Sequence, residues 1–225
     1  MASEVKTNKI SPSTSTTVTL GDASDVFQLP ASAEIDIASG ATLDVNGNID
    51  FTGATVTGLT TGKVLQVVQS VKTDTASTTV NAGTFADIAG TDQAGAGSIW
   101  CVKITPSATS STILVSWANS IGSTQANQTT IFKLFRNAVN PFLGDAAGDR
   151  VVASMVGSCS SGVNNINSSS GQYLDSPSLT SEVTYKLQWS QEDAQTIYLN
   201  RAGTDTDDAT HMRSASTITV VEIGV

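Results

Sequence analysis

The sequence predicts an all-β protein in which a short amino-terminal trimeric β-stalk precedes an antiparallel, jelly-roll-like sandwich. Three observations favour this fold class. Only 14% of the 225 residues are charged, so the chain lacks the abundant Glu, Lys and Arg of long helices. Short runs rich in Val, Ile and Thr alternate with segments of Gly, Ser, Asn and Asp, as strands and turns do. A hydrophobic content of 39% is enough to form a packed core and argues against a disordered chain.

The charge balance excludes several classes of function. The chain has 11 basic and 20 acidic residues and a net charge of −9. A nucleic-acid partner is not expected, because binding a phosphate backbone requires clustered Lys and Arg. Membrane insertion is not expected either, since no apolar run is long enough to span a bilayer and the polar residues 1–10 do not form a signal peptide. Two cysteines are too few for a disulfide framework; Cys101 is interpreted as a small buried hydrophobe, and a single bridge to Cys159 stays open.

The chain divides near Gly62. Residues 1–62 contain two lysines against seven acidic residues, so much of the acidic excess lies in this short part. We predict an attachment segment at 1–17, a Gly-rich β-stalk and oligomerisation region at 18–62, and a β-sandwich head at 63–225.

Within the predicted stalk, three short segments each place an aspartate between two apolar residues. They are Ile35–Ile37, Leu43–Val45 and Ile49–Phe51, and their alternation is typical of a half-buried strand. Strands this short cannot form a core within one chain. Either this stretch lies on a partner or copies of the chain wrap around a shared axis. We predict the second, most simply as a parallel homotrimer, with a flexible arm as a further alternative. The expected trimer-core residues are Ile35, Ile37, Leu43, Val45, Ile49 and Phe51.

After residue 62, the sequence predicts eight to ten strands and no helix. The run Lys186–Trp189, for example, alternates between polar and apolar residues as a strand with one buried face does. Strands of this number and spacing are typical of a sandwich or jelly roll, and a parallel α/β sheet is excluded because crossover helices are absent. The predicted strands are 63–71, 98–104, 112–117, 130–135, 150–156, 173–174 with its neighbours, 182–189, 195–200 and 217–223.

Catalysis is not expected, and no cofactor is predicted. His211 is the only histidine, and without a Gly-x-Ser-x-Gly motif it is interpreted as an exposed loop residue. Zinc is not expected, because one histidine and two distant cysteines cannot supply four ligands. The calcium candidates are Asp205, Asp207 and Asp208, although a solvated acidic turn is the favoured interpretation because the EF-hand pattern is absent.

Recognition of another molecule is predicted for a polar loop at 158–172. Such segments have little value in a core, and loops held by a rigid scaffold commonly bind ligands. The tryptophans, in contrast, lie in apolar strands and are expected in the core rather than on a sugar-binding surface; they are Trp100, Trp117 and Trp189. The receptor-binding candidates are Asn164, Asn165, Asn167 and Tyr173.

Several segments of the predicted head also resemble a known family. They are 104–107, 110–115, 132–136, 144–150, 174–177, 184–188, 198–201 and 216–223. As a set they are similar to a β-rich domain that commonly forms the C-terminal head of tail-fibre-like and other surface proteins in marine-type tailed bacteriophages. The Gly-rich region before them resembles the stalk or attachment modules of such proteins. The resemblance implies a homotrimeric virion structural protein, and no catalytic residues are carried over from it.

The expected function is therefore attachment to the host surface by a non-enzymatic, tail-fibre-like appendage on the tail or capsid of a virion. Residues 1–17 are expected to dock onto another virion protein, and the head to contact a host polysaccharide or protein. The alternative is a capsid-mounted head fibre, knob or decoration protein. A polysaccharide depolymerase is a further, less favoured alternative, because the paired carboxylates it needs cannot be identified from sequence.

Overall fold

The structure, a computed structural model, describes residue 29 and residues 35–45, 62–158 and 162–224. The chain divides into two compact units, residues 1–57 and 58–225. In the first unit, residues 35–45 form a turn at 39–40, closed by a hydrogen bond from the Ala41 N–H to the Ala38 carbonyl (2.9 Å), and contain no strand. Segment 1–17 and the predicted trimer-core residues Ile49 and Phe51 lie outside the described residues.

The strands predicted at 35–37 and 43–45 are not formed within the single chain. Each segment offers only two apolar side chains and pairs with no neighbouring strand in the described residues. The four apolar residues at these positions are all exposed: Ile35, Ile37, Leu43 and Val45.

The second unit is all-β over its described residues, as the sequence predicts, and contains eleven strands. No helix in the described ranges has the length and hydrophobicity needed to cross a bilayer. The strands are β1 (Lys63–Lys72), β2 (Ala76–Val80), β3 (Ala86–Asp87), β4 (Cys101–Ile104), β5 (Thr112–Ser123), β6 (Thr129–Arg136), β7 (Met155–Ser158), β8 (Asn167–Asp175), β9 (Val183–Gln191), β10 (Gln195–Leu199) and β11 (Ser216–Gly224).

The strands form two antiparallel sheets. In the six-stranded sheet the order is β1-β11-β5-β10-β2, and β8 pairs with the other edge of β5. The twelve-residue strand β5 is long enough to pair first with β11 and then with β10 along one edge. In the five-stranded sheet the order is β3-β9-β6-β7, and β4 pairs with β9 beside β3.

The core lies between these sheets. Alternate residues of β5, β9 and β11 are buried, as period-two strands with one inward face require. The buried cluster joins Trp117 and Ile218 of the six-stranded sheet to Phe132 and Trp189 of the other. Trp117, Trp189 and Trp100 are at most 3% exposed, which confirms that the three tryptophans pack in the core.

Cys101 is a free, buried thiol. Burial raises its pKa above the ordinary value, so the thiolate is disfavoured at neutral pH. The interpretation of Cys101 as a small buried hydrophobe is therefore confirmed, and Cys159 lies outside the described residues.

Strand pairing gives the sandwich two distinct ends. Lys63 at the start of β1 pairs with Gly224 at the end of β11, whereas Lys72 pairs with Ser216. The chain that precedes Lys63 therefore enters at the end where β11 finishes, which we call the proximal end. The connections at 162–166, before β8, and 200–215, between β10 and β11, lie at the opposite or distal end. A nine-residue strand separates the two ends by about 30 Å.

A buried carboxylate accepts hydrogen bonds from two other segments at the proximal end. Glu222 is fully buried and accepts hydrogen bonds from the side-chain amide of Gln66 (2.6 Å) and from the N–H and hydroxyl of Ser107 (both 2.7 Å). Burial by itself raises the pKa of Glu222, but the donors on Gln66 and Ser107 outweigh it and lower the pKa to about 2. The ionised carboxylate therefore links β11 to β1 and to the loop that follows β4.

This carboxylate makes stability depend on pH in the acid range. Because the folded pKa lies below the ordinary value of 4.5, ionised Glu222 stabilises the fold above that pH, and the contribution is lost as the pH falls towards 2. We expect Glu222→Gln to lower the free energy of unfolding at neutral pH by about 2–4 kcal/mol. Between pH 4.5 and 2 the stability of the variant should fall less than that of the wild type. Urea unfolding of both proteins across this pH range measures the difference. Stability that falls in parallel for the two proteins would show that Glu222 is not the ionised group.

Candidate functional site

At the distal end, two connections that are far apart in sequence lie against each other. The N–H of Thr204, between β10 and β11, donates to the carbonyl of Val163, in the turn before β8 (3.1 Å). That turn is closed by a hydrogen bond from the Asn165 N–H to the Gly162 carbonyl (3.1 Å), and it leaves Asn164 and Asn165 exposed. Residues 162–166 and 200–214 are called the distal loop cluster below. Two of the predicted receptor-binding residues thus adjoin the predicted acidic turn.

Asn200 anchors the start of the longer loop. It is fully buried with a left-handed backbone (φ 63°), a conformation that asparagine tolerates better than most residues. Its side-chain amide donates to the carbonyls of Lys72 (2.8 Å) and Asp74 (2.9 Å), and its side-chain oxygen accepts from the hydroxyl of Ser216 (2.6 Å). These bonds attach the loop to the last residue of β1, to the turn that follows it and to the first residue of β11.

After Asn200, residues 205–213 of the loop surround a pocket of about 340 Å³ that is open to solvent. All six lining residues are polar or charged, so the surface of the pocket offers hydrogen-bonding groups. The lining residues are Asp205, Thr206, Asp207, Asp208, His211 and Arg213.

Asp205 holds two arginine side chains on the basic side of the pocket. Its carboxylate accepts hydrogen bonds from the guanidinium groups of Arg213 (Nε, 2.9 Å) and Arg201 (Nη1, 2.8 Å). The hydrogen bond from Arg213 is the main cause that lowers the pKa of Asp205, with Arg201 adding to it. The Arg201 guanidinium also lies 3.9 Å from the centre of the Tyr198 ring, a cation–π distance. Arg213 stays 58% exposed in its side chain and faces solvent.

His211 organises the acidic side. Its Nδ1 lies 2.8 Å from Oδ1 of Asp208, and the same oxygen accepts from the N–H (2.8 Å) and hydroxyl (2.6 Å) of Thr210. The hydrogen bonds from Thr210, followed by that from His211, lower the pKa of Asp208 well below its ordinary value. The histidine side chain is only 11% exposed, so the prediction of an exposed loop histidine is wrong. Its ring packs inside the loop and holds the turn.

The His211–Asp208 pair is not accompanied by a nucleophile in the described residues. In a catalytic triad, one imidazole nitrogen contacts the carboxylate and the other contacts the nucleophile. Here Nε2 of His211 is buried and has no hydrogen-bond partner within the part of the chain that the structure describes. With Thr210, the pair closes the turn at residues 208–211.

The three calcium candidates are engaged differently from ion ligands. Asp205 contacts two guanidinium groups, which oppose a cation at the same carboxylate, and Asp208 contacts Thr210 and His211. Among the described residues, no group of three His, Cys, Asp or Glu side chains could hold a metal ion. Asp207 is exposed and lines the pocket.

Asn167 does not lie in a loop as predicted, and Tyr173 lies in a strand, as the sequence predicts for 173–174. From Asn167 onward the predicted loop at 158–172 is strand β8. The Tyr173 ring stacks against Trp117 (6.0 Å) and Phe142 (5.1 Å), and its hydroxyl donates to the carbonyl of Ser154 (2.6 Å). Tyr173 therefore packs against the core, and Asn164 and Asn165 are the two candidates that face solvent in a loop.

The described residues thus assemble a polar surface with both donors and acceptors. Arg213 donates, the carboxylate of Asp207 accepts, and the amides of Asn164 and Asn165 in the adjoining turn do both. Hydroxyl-rich ligands such as sugars match this mixture, because each hydroxyl also donates and accepts.

Comparison of the chain with protein-family models gives no match, and a search of curated proteins finds no similar sequence.

Proposed function

We propose that this chain is a homotrimeric, non-enzymatic structural protein of a bacteriophage virion, and that its distal loop cluster binds the host cell surface. One observation carries the proposal. The chain that precedes Lys63 enters the sandwich at the proximal end, whereas the exposed polar loops lie about 30 Å away at the distal end. A protein that attaches through its amino-terminal part and binds through its head requires this separation.

We further infer that the head is a jelly roll. Eight strands, β1, β4 to β9 and β11, fall into two groups of four neighbours, β1-β11-β5-β8 and β4-β9-β6-β7. Taken in chain order, the first, eighth, third and sixth strands form one group, and the second, seventh, fourth and fifth form the other. Two such interleaved groups support a jelly roll, an architecture of viral capsid and lectin domains. Strands β2, β3 and β10 are additions to it.

The chemistry of the distal loop cluster supports binding rather than hydrolysis. Its exposed groups are mainly amides, carboxylates and a guanidinium, beside one exposed apolar side chain, Met212. Its loop is held by Asn200 and by the Asp205 and Asp208 hydrogen bonds. Loops that a rigid scaffold fixes in this way bind without a large ordering cost. We propose a polysaccharide of the host surface as the ligand class.

The proposal predicts that binding to cells depends on the distal loops. Replacing Asn164, Asn165 and Arg213 together by alanine should weaken binding of the labelled protein to bacterial cells by about tenfold or more, the loss of at least 1.4 kcal/mol. Half-saturation measured by flow cytometry over a panel of marine isolates checks this. The matched control replaces three exposed residues by alanine and should leave binding unchanged. They lie in connections at the proximal end: Arg150 between β6 and β7, and Ser176 and Thr180 between β8 and β9.

Two results would contradict this assignment. Equal binding by the distal variant and the wild type would exclude the loops as the contact surface. Release of oligosaccharide from polysaccharide purified from cells that bind the protein would show hydrolysis and favour the depolymerase alternative.

A further inference from the structure

The outer surface of the six-stranded sheet bears no ionisable side chain over its four longest strands. Burial alternates along these strands, so every second residue points away from the core. The outward positions form what we call the neutral face. They are Val64, Val67, Gln69 and Val71 on β1; Thr217, Thr219, Val221 and Ile223 on β11; Thr112, Leu114, Ser116 and Ala118 on β5; and Ser168, Ser170, Gln172 and Leu174 on β8.

An apolar band crosses the neutral face. Val67 pairs with Val221, Val221 with Leu114, and Leu114 with Leu174, so four apolar side chains stand side by side across four strands. Val67 and Leu174, at the two edges of the band, are each 60% exposed. Leu65, at the bulge in β1, is also exposed and extends the band towards the proximal end. Contiguous apolar surface of this kind marks an interaction site more often than isolated exposed residues do.

The outer surface of the five-stranded sheet is different. Lys103, Lys133 and Lys186 lie at its outward positions, and Lys186 pairs with Asp87 at 2.7 Å. The two outer surfaces of one sandwich therefore differ in charge, and only one of them is suited to close apolar contact.

Charge favours a second copy of the same chain as the occupant of the neutral face. Each chain has a net charge of −9, so two copies repel each other over most of their surfaces. The neutral face adds no charge to that repulsion and leaves no ion desolvated when it is covered.

The area of the neutral face is also large enough for a contact with a second copy of the chain. Four strands about 4.8 Å apart and nine residues long cover roughly 19 Å by 30 Å in projection. The accessible area of side chains on such a surface is larger than its projection and is comparable with the roughly 800 Å² that one chain buries in a standard two-chain interface. In a trimer this area is shared between two neighbouring copies, so the contact between the heads adds to the association proposed for residues 18–62.

We propose that the neutral face is buried between copies of this chain, with the band through Val67, Val221, Leu114 and Leu174 directed towards the three-fold axis. This rests on the homotrimer of the proposed function and locates the contact between the heads. Strand β1 begins at Lys63, directly after the proposed oligomerisation region, so of the strands of the neutral face it is the nearest in sequence to that region.

Cysteine labelling of the full-length chain tests this contact. Val67→Cys and Leu174→Cys place thiols on the neutral face, and Val156→Cys places one on β7 of the other sheet, where the native residue is 55% exposed. All three variants carry Cys159→Ser, and the Cys159→Ser chain alone gives the background from buried Cys101. Since the three positions have similar exposure in one chain, any large difference in labelling rate reports on assembly.

Maleimide labelling at residues 67 and 174 should be about tenfold or more slower than at 156, because a covered thiol reacts only when the contact opens. Light scattering on the same samples tests the trimer separately from the neutral-face contact. A mass of three times 23.1 kDa with equal labelling rates would overturn the neutral-face contact and leave the trimer standing. A mass of 23.1 kDa would overturn both.

Discussion

Replacing Asn200 by alanine is expected to lower the free energy of unfolding by about 3–5 kcal/mol, from three lost side-chain hydrogen bonds and a strained left-handed backbone. The carbonyls of Lys72 and Asp74 would lose their donor, and the buried hydroxyl of Ser216 its acceptor. Urea unfolding measures the change in stability, and hydrogen exchange over residues 201–214 measures how far the loop is released.

Asn200→Gly separates the two causes. Glycine accepts a φ of 63° without strain but supplies no side-chain bonds. We expect it to lose the stability due to the hydrogen bonds while avoiding the additional cost of the alanine variant, about 1–2 kcal/mol. Unchanged exchange rates in both variants would show that Asn200 does not hold the distal loop.

Replacing Asp175 by alanine should have a comparable effect at the proximal end, again about 3–5 kcal/mol, because it breaks a largely buried charge pair. The Asp175 carboxylate, on β8, accepts from Arg136 on β6 (2.8 Å) and from the hydroxyl of fully buried Tyr185 on β9 (2.7 Å). It therefore joins the two sheets. Burial, followed by the hydrogen bond to Asp175, raises the pKa of Tyr185 far above its ordinary value, so the phenol remains a donor.

A double-mutant cycle with Tyr185→Phe isolates this contact. The single change to phenylalanine should cost about 1–2 kcal/mol, since it removes one hydrogen bond and keeps the packing of the ring. The double variant should be destabilised by less than the sum of the two single variants, because Asp175→Ala already leaves the phenol without its partner. Simple additivity of the free energies would contradict the assignment.

Much of the sandwich can be predicted from alternation alone. Strand β9 follows the pattern of Lys186–Trp189, in which every second residue is large, apolar and buried. The same alternation of apolar and polar residues predicts β5, β6, β10 and β11, because each of these strands has one face in the core.

The sequence predicts only the end of β8, because the buried face of this strand lacks the large apolar residues that usually alternate along a strand. Its inward positions include Ser169 and Gly171, and the Trp117 ring occupies the space that a side chain at 171 would need. The core volume at this point comes from β5. Serine at the outward positions then makes the segment resemble a loop. Strand β7 was predicted at 150–156 but begins at Met155.

The candidate site was only partly predictable for a similar reason. The sequence singles out the Asn-rich turn and the Asp-rich loop separately, because each has a local composition typical of exposed connections. Their contact, through Thr204 and Val163, depends on the pairing of β8 and β10 with opposite edges of β5. The burial of His211 depends on the fold of its own loop, which no period in the sequence reveals.

The separation of the two ends can be tested most directly by blocking each end in turn. Biotin is attached at the amino terminus, or at Thr206→Cys in a Cys159→Ser chain, and streptavidin is added before the protein meets bacterial cells that bind the unmodified chain. We predict that streptavidin at residue 206 abolishes binding and that streptavidin at the amino terminus leaves binding intact. Binding that survives the block at 206, or is lost with the block at the amino terminus alone, would contradict it.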